Sequence, residues 1–178
     1  MWNGIIFSIM LIGILFFLGA ILTSLSFIFL APIVLTPKKD LEEILKIMKP
    51  EDNDNIMDLG CGDGRVLVEA SKQAKIKGKG IDISPLIIMW AKWNKYLHFL
   101  TARKIQFEVE NLFDTKLDGF NKIYCYTSEQ YLEILEKKFS KNLHNTIVYT
   151  YRHKLPNKKH TKSYKLSSDK FLYCYLYN

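Results

Sequence analysis

The stretch Asn55-Ile56-Met57-Asp58-Leu59-Gly60-Cys61-Gly62-Asp63-Gly64-Arg65 decides how this chain is read. Ile56 and Met57 form a short apolar run that ends in Asp58, glycines follow at alternate positions, and a helical pattern begins at Arg65. That order spells a buried parallel strand, a tight turn and a helix start. Glycine adopts φ > 0 without strain and lets a ligand reach the main chain without meeting a Cβ. The space above Gly60, Gly62 and Gly64 is therefore expected to be free of side chains. The helix start adds free N–H groups and the positive end of a dipole.

The spacing narrows the ligand. A dinucleotide fingerprint runs G-x-G-x-x-G, its last glycine letting helix and strand pack closely. Here the pattern is G-x-G-x-G, and Arg65 stands where that last glycine would fall. This argues against NAD and FAD. The acid ahead of the first glycine, Asp58, suits a ligand with a positive group better than a pyrophosphate. S-adenosylmethionine carries an ammonium and a sulfonium and no phosphate, and is the expected cofactor. The plain alternative is an ordinary strand-to-helix turn.

A second acid supports the cofactor reading. Gly78 to Ile83 reads as the next strand, and Asp82 near its end is placed to accept hydrogen bonds from both hydroxyls of a ribose. The competing role is a charge at a helix N-terminus, because Ser84-Pro85 opens the following helix. Lys104 to Glu110 alternates as a third strand with Ile105, Phe107 and Val109 inward. Asn111, just beyond it, is a candidate for the adenine amino group; a turn asparagine is the alternative.

The rest of the domain follows the same alternation. Asp40 to Lys49 is an amphipathic helix with Leu41, Ile44, Leu45 and Met48 on one face. Arg65 to Ala74 is the first crossover helix. Pro85 to Leu100 is a helix with a wide apolar face containing Leu86, Trp90, Trp93, Leu97 and Leu100. Core packing is the favoured reading of that face, and contact with a bilayer the sharper one, since tryptophan and tyrosine prefer the membrane interface. Phe120 to Thr127 is the fourth strand, Ser128 to Ser140 a helix and Asn145 to Tyr151 the fifth strand. Lys162 to Leu166 and Phe171 to Tyr177 form a closing hairpin. Seven strands with helical crossovers make an α/β, Rossmann-like sheet with helices on both faces and ligands beyond the strand C-termini.

The 178-residue chain allows one globular domain and an appendage. No charged side chain precedes Lys38, so the net charge of +7 lies wholly beyond it. Ile5 to Leu35 is uncharged; as a helix its 31 residues reach about 46 Å, against a hydrocarbon core of about 30 Å. A cleaved signal peptide needs a basic start and a shorter apolar core. The expectation is a single-pass anchor and exit segment over residues 1–36 and a catalytic domain over residues 37–178. Lys38, Lys39, Lys46 and Lys49 follow the run directly, which places that domain on the cytoplasmic side. Cys61, Cys125 and Cys174 are odd in number and lack C-x-x-C spacing, which fits a reducing compartment and excludes a zinc site of that type.

The Asp58–Arg65 motif with Asp82 resembles the class I, seven-strand S-adenosylmethionine-dependent methyltransferases. The apolar anchor leading into Pro32-Ile33-Val34-Leu35-Thr36-Pro37, a short helix and then D-L-G-C-G-D-G-R narrows the likeness. Together they resemble the membrane-anchored protein-lysine methyltransferases related to those acting on the ATP synthase c-subunit and the adenine nucleotide translocase. Leu35 stands where that group usually has proline. The resemblance implies that Asp58, Gly60, Cys61, Gly62 and Gly64 line the methionine end of the cofactor. It also implies that Asp82 and Ile83 hold the ribose, Asn111 and Leu112 the adenine, and that Thr36 closes over from the N-terminal side. The bilayer and a membrane-protein substrate are the implied partners.

Methyl transfer to lysine needs alignment, exclusion of water and no metal. Tyr124, Tyr126 and Glu129 lie where the fourth strand should meet the methyl group, and Tyr126 is the catalytic candidate, as a hydrogen-bond or cation–π partner. A small lipophilic acceptor, such as a quinone or lipid headgroup, fits the anchor equally well. Nucleic acid is the less favoured acceptor. The basic stretch Arg152 to Lys165 suits phosphates, but Tyr126-Thr127-Ser128-Glu129 lacks the acid-or-asparagine, Pro-Pro, aromatic pattern of amino-methylating DNA enzymes.

Overall fold

The computed structural model describes residues 8–19 and 34–178. Residues 8–19 are helical. Among the described residues no helix is long and apolar enough to cross a membrane; most of the expected span, Ile5 to Leu35, lies outside them. The chain divides into a unit before Val34 and a compact unit from Val34 to Asn178.

The second unit begins with α1 (Lys38–Met48), whose buried Leu41, Ile44, Leu45 and Met48 are the apolar stripe of the sequence. Then come β1 (Asn55–Leu59), α2 (Arg65–Gln73), β2 (Lys77–Asp82), α3 (Pro85–Leu97) and β3 (Ile105–Val109). The remainder is β4 (Lys122–Cys125), α4 (Glu129–Asn142), β5 (Thr146–Tyr151), β6 (Lys162–Lys165) and β7 (Phe171–Tyr177). The seven strands pair in the order β3-β2-β1-β4-β5-β7-β6. β1 to β5 run parallel, and β7 enters antiparallel between β5 and β6. The order reverses between β1 and β4, so a crevice opens beyond the C-terminal ends of those strands, where ligands of such sheets bind.

Both faces of the sheet are covered, but unequally. Ile56 of β1 joins the core made with α1, α2 and α3. Its neighbour Met57 points the other way, into the core made with Leu132, Leu135 and Phe139 of α4. This alternation is what a strand buried on both sides requires. The connection from β3 to β4 contains no helix. On that stretch of sheet the outward side chains are polar instead: Lys79 Nζ pairs with Glu108 at 2.9 Å and Glu110 at 2.6 Å.

One apolar face departs from the favoured expectation. Only Ile87, Ile88 and Ala91 of α3 are buried, while Leu86, Met89, Trp90, Trp93, Tyr96 and Leu97 are exposed. The apolar run is wider than the face the sheet can cover. The helix also stops at Leu97, three residues before the expected Leu100, where the chain turns toward β3.

Candidate active site

β1 ends in Asp58 and Leu59, and the chain turns at once through Gly60, Gly62 and Gly64, all with φ between +54° and +78°. A side chain in that region of backbone space is strained, so the turn needs glycine. Gly64 is also the N-cap of α2. The turn holds itself together: the N–H groups of Gly60 and Cys61 both donate to the Ile81 carbonyl, at 3.0 and 2.8 Å, and Gly64 N–H donates to Cys61 O at 2.9 Å. Those donors are therefore used within the fold. What the turn offers a ligand is close approach to bare backbone and the carboxylates around it.

The glycines have different duties. Among the described residues nothing lies within 4 Å of where a Cβ on Gly60 would stand, so this position is open as expected. A Cβ on Gly62 would lie 2.9 Å from Leu35 Cδ2. One on Gly64 would lie 2.4 Å from the Phe107 ring, which also packs over Gly80. The expectation of a turn free of side chains holds at Gly60 alone. Gly64 is needed for packing, and Gly62 is covered by a strap formed by Val34, Leu35 and Thr36.

Side-chain bonds pin the strap. Thr36 Oγ1 and the Tyr124 hydroxyl lie 2.9 Å apart, and Arg65 Nη1 donates to the Thr36 carbonyl at 3.0 Å. Asp63 fixes Arg65 in turn, through Nε at 2.9 Å and Nη2 at 2.8 Å, the fork geometry that makes such pairs strong. Asp63 and Arg65 were not singled out as site residues in the sequence; their signal was the i, i+2 opposite charges at a helix start. A further buried pair, Asp40 with Tyr151, joins α1 to β5 across 111 residues of sequence, and Ser168 Oγ donates to the same Asp40 oxygen at 2.8 Å. No local pattern announces that contact.

Beneath the strap lies a cavity of about 20 Å³, room for about one water, lined by Thr36, Asp58, Gly60, Cys61, Gly62, Tyr124 and Tyr126 among others. Five residues expected to bind cofactor and the catalytic candidate thus share one cavity wall. Asp58 is 1% exposed, and its Oδ2 is buried with no hydrogen-bond partner among the described residues. Burial first, then the charges of Asp82 and Asp63, push its carboxyl well above the usual carboxylate range. Burial likewise pushes up the Cys61 thiol, with Asp58 adding to it. Burial thus favours the thiol over the thiolate at Cys61.

The residues expected at the nucleoside end sit at neighbouring strand tips outside that cavity. Asp82 is half-buried at the end of β2, and its Oδ1 accepts the Ser84 N–H at 3.0 Å, the helix-start role weighed against ribose binding. Ile83 is 67% exposed. Glu110 N–H donates to Asp82 O at 3.1 Å, which brings the β3 tip beside the β2 tip. Asn111 Oδ1 accepts the Phe113 N–H at 3.0 Å, a turn-forming bond. Leu112 packs against the α4-side core. Tyr126 is half-buried, its ring edge-on to Tyr151 with centroids 4.7 Å apart and its hydroxyl 3.4 Å from Arg152 Nη1.

A cationic ligand fits these residues. The charges of Asp82 and Asp63 both bear on Asp58, and of the three Asp63 is the one held by an arginine fork. Sheet order, glycine turn and acidic strand tips together define an S-adenosylmethionine-dependent methyltransferase.

Comparison with known proteins gives the family. The model of the ANTKMT methyltransferase domain matches residues 58–162. A protein-lysine N-methyltransferase of Saccharolobus islandicus is 30% identical over 113 residues, covering 63% of this chain and 70% of that protein. An ATP synthase c-subunit lysine N-methyltransferase of Caenorhabditis elegans is 25% identical over 101 residues, covering 57% of this chain and 52% of that one. The chain therefore spans about half the length of that relative. Among solved structures, an RNA methyltransferase of Salinibacter ruber in complex with S-adenosyl-L-homocysteine superposes with a TM-score of 0.75 at 22% identity, over 80% of this chain and 93% of that one. At that identity the likeness establishes the fold. The chain belongs to the ANTKMT methyltransferase domain family.

Proposed function

We propose that this methyltransferase modifies lysine side chains of a membrane-associated protein, with residues 1–36 as its single-pass anchor and residues 37–178 as a catalytic domain on the cytoplasmic side. One observation carries the site: the unpartnered carboxylate of Asp58, buried beside open Gly60 and facing the same cavity as Tyr124 and Tyr126. Lysine as acceptor is supported by the relatives named as protein-lysine and ATP synthase c-subunit lysine methyltransferases. Anchoring is supported by the uncharged run from Ile5 to Leu35 and the lysines behind it.

In this reading Asp58, Gly60, Cys61, Gly62 and Gly64 surround the methionine end of the cofactor. Asp82 and Ile83 hold its ribose, Asn111 and Leu112 its adenine, and Thr36 closes the strap. The bound cofactor supplies a methyl group on a sulfonium, ready for in-line displacement. The chain's own work is to align the acceptor and keep water out. At pH 7 only roughly 1 in 2,500 free lysines is neutral. A mouth lined by Tyr124 and Tyr126 disfavours the ammonium by desolvation and raises that fraction. Tyr126 then orients the amine, through its hydroxyl or its ring.

The test uses the full chain, methyl-labelled S-adenosylmethionine and membranes from the source cell. Methyl-lysine recovered from acid hydrolysates of a protein band is the expected result. Label confined to solvent-extractable lipid, or released by nuclease, would reject lysine as the acceptor.

A further inference from the structure

The α3 face that the sheet leaves uncovered has a composition of its own. Trp93 is 60% exposed and Tyr96 67%, and the apolar surface continues past the helix end through Phe99 and Leu100. A monomer rarely exposes a contiguous patch of this kind without a use for it. No acidic residue occurs between Asp82 and Glu108, while Lys92, Lys95, Arg103 and Lys104 all lie in that interval.

The basic side chains stand on both flanks. On one side Lys92, Lys95 and Arg103 line a cleft of about 690 Å³ with Tyr96 and Phe99, reaching Glu108 at its far edge. On the other side a groove of about 610 Å³ has Trp90, Trp93 and Leu97 on the α3 wall. Lys38, Lys46 and Lys72 line its opposite wall, with Glu42 and Glu69 among them.

We propose that this face is a second membrane-binding surface, which seats Trp90 and Trp93 in the headgroup region of an anionic bilayer. It goes beyond anchoring by residues 1–36 and does not require it. Aromatic rings with a polar edge favour the interface between headgroups and acyl chains. Lysine and arginine around them are drawn to anionic lipid, whereas the centre of a protein–protein interface is depleted in lysine. The place where the chain enters the domain agrees. Val34 shares the small cavity with Arg65, and Arg65 also lines the tryptophan groove. The end of the uncharged run thus arrives beside this face.

The chain has three tryptophans, so Trp2→Phe leaves Trp90 and Trp93 as the only ones emitting. The full-length variant is mixed with vesicles of phosphatidylcholine and phosphatidylglycerol that carry bromine on shallow acyl carbons. Seated tryptophans shift their emission to the blue, are quenched by the bromolipid and are shielded from aqueous acrylamide. Adding Lys92→Gln and Lys95→Gln lowers the docking equilibrium about fivefold for each charge removed, and salt acts in the same direction. Full quenching by acrylamide overturns the proposal by showing a face left in water. Shielding from both quenchers overturns it in favour of a protein contact, a second copy of the chain included. Flotation on purely zwitterionic vesicles reads the uncharged run separately. A chain that does not float there, yet is quenched on anionic vesicles, keeps this surface and loses the anchor.

Discussion

Replacing Asp58 with Asn should stabilise the ligand-free domain and cripple it as an enzyme. The side chain is 1% exposed, and one oxygen has no hydrogen-bond partner among the described residues. Its folded-state pKa is raised above the unfolded value, by burial and by Asp82 and Asp63. The sign follows: below the unfolded pKa the carboxyl is neutral in both states and costs nothing extra. As pH rises above the unfolded pKa the unfolded chain ionises while the buried carboxyl keeps its proton, so stability falls until the folded pKa has been passed. An amide has the same shape and no charge. A buried unsatisfied polar group costs about 1–3 kcal/mol. Because the amide still leaves one polar group there, the gain should be near ~1 kcal/mol, or about 2–4 °C in Tm. Against that, a bond from the carboxylate to a cationic ligand contributes about 1.5–3 kcal/mol, so affinity for S-adenosylmethionine should fall roughly 10- to 150-fold. Thermal unfolding from pH 5 to pH 8, with calorimetric titration of the cofactor, measures both. The difference in Tm should grow toward pH 8. A variant that melts below the parent at pH 8, or binds cofactor as tightly, would refute the role given to Asp58.

The turn glycines should separate by function. Gly60→Ala meets no neighbour and should cost only the left-handed backbone penalty, about 1–2 kcal/mol. Cofactor affinity should still collapse, as read by calorimetry. Gly64→Ala puts a methyl 2.4 Å from the Phe107 ring and should lose more stability than Gly60→Ala in denaturant titrations; equal losses would remove the packing role. Lys122→Met removes the cation that holds the Asp54 carboxylate at 2.6 Å, and should destabilise by about 3 kcal/mol. The Asp54 carboxyl lies below its usual range despite burial, because Lys122 and its other hydrogen-bond donors hold it there. Its contribution is present above the unfolded pKa and lost as pH falls through the folded one, so this variant should also blunt the acid limb of the stability profile. Tyr126→Phe should lower kcat about fivefold, the value of one hydrogen bond, and leave cofactor affinity unchanged. A parallel fall in affinity would place Tyr126 with the cofactor instead.

Much of this fold is written in local pattern. The strand β1, its glycine turn and the start of α2 occur at the residues where apolar run, glycines and helical period place them, and α1 buries the stripe that its spacing predicts. Strand β4 is shorter than its apolar pattern, because pairing with β1 stops at Cys125 while Tyr126 continues the alternation beyond the ladder. The α3 face shows a deeper limit. Periodicity says that a face is apolar, not what will cover it, and a sheet of fixed width buries only part of a broad stripe. The Asp40–Tyr151 contact was illegible for another reason: it joins residues far apart in sequence and is chosen by packing, while the strap was foreseen at Thr36 only through the family resemblance and not from any local pattern. Asn111 and Asp82 each hold a local hydrogen bond that short-range turn and cap rules foresee, alongside the ligand roles proposed for them.

The strap ties the entry of the domain to its sheet. Only Leu35 separates Val34, where the chain enters, from Thr36, the residue bonded to Tyr124 and Arg65. Thr36 is held on two sides, its hydroxyl beside the Tyr124 hydroxyl and its carbonyl accepting from Arg65, so a segment of three residues rivets the entry of the domain to the middle of the sheet and to the start of α2 at a single point.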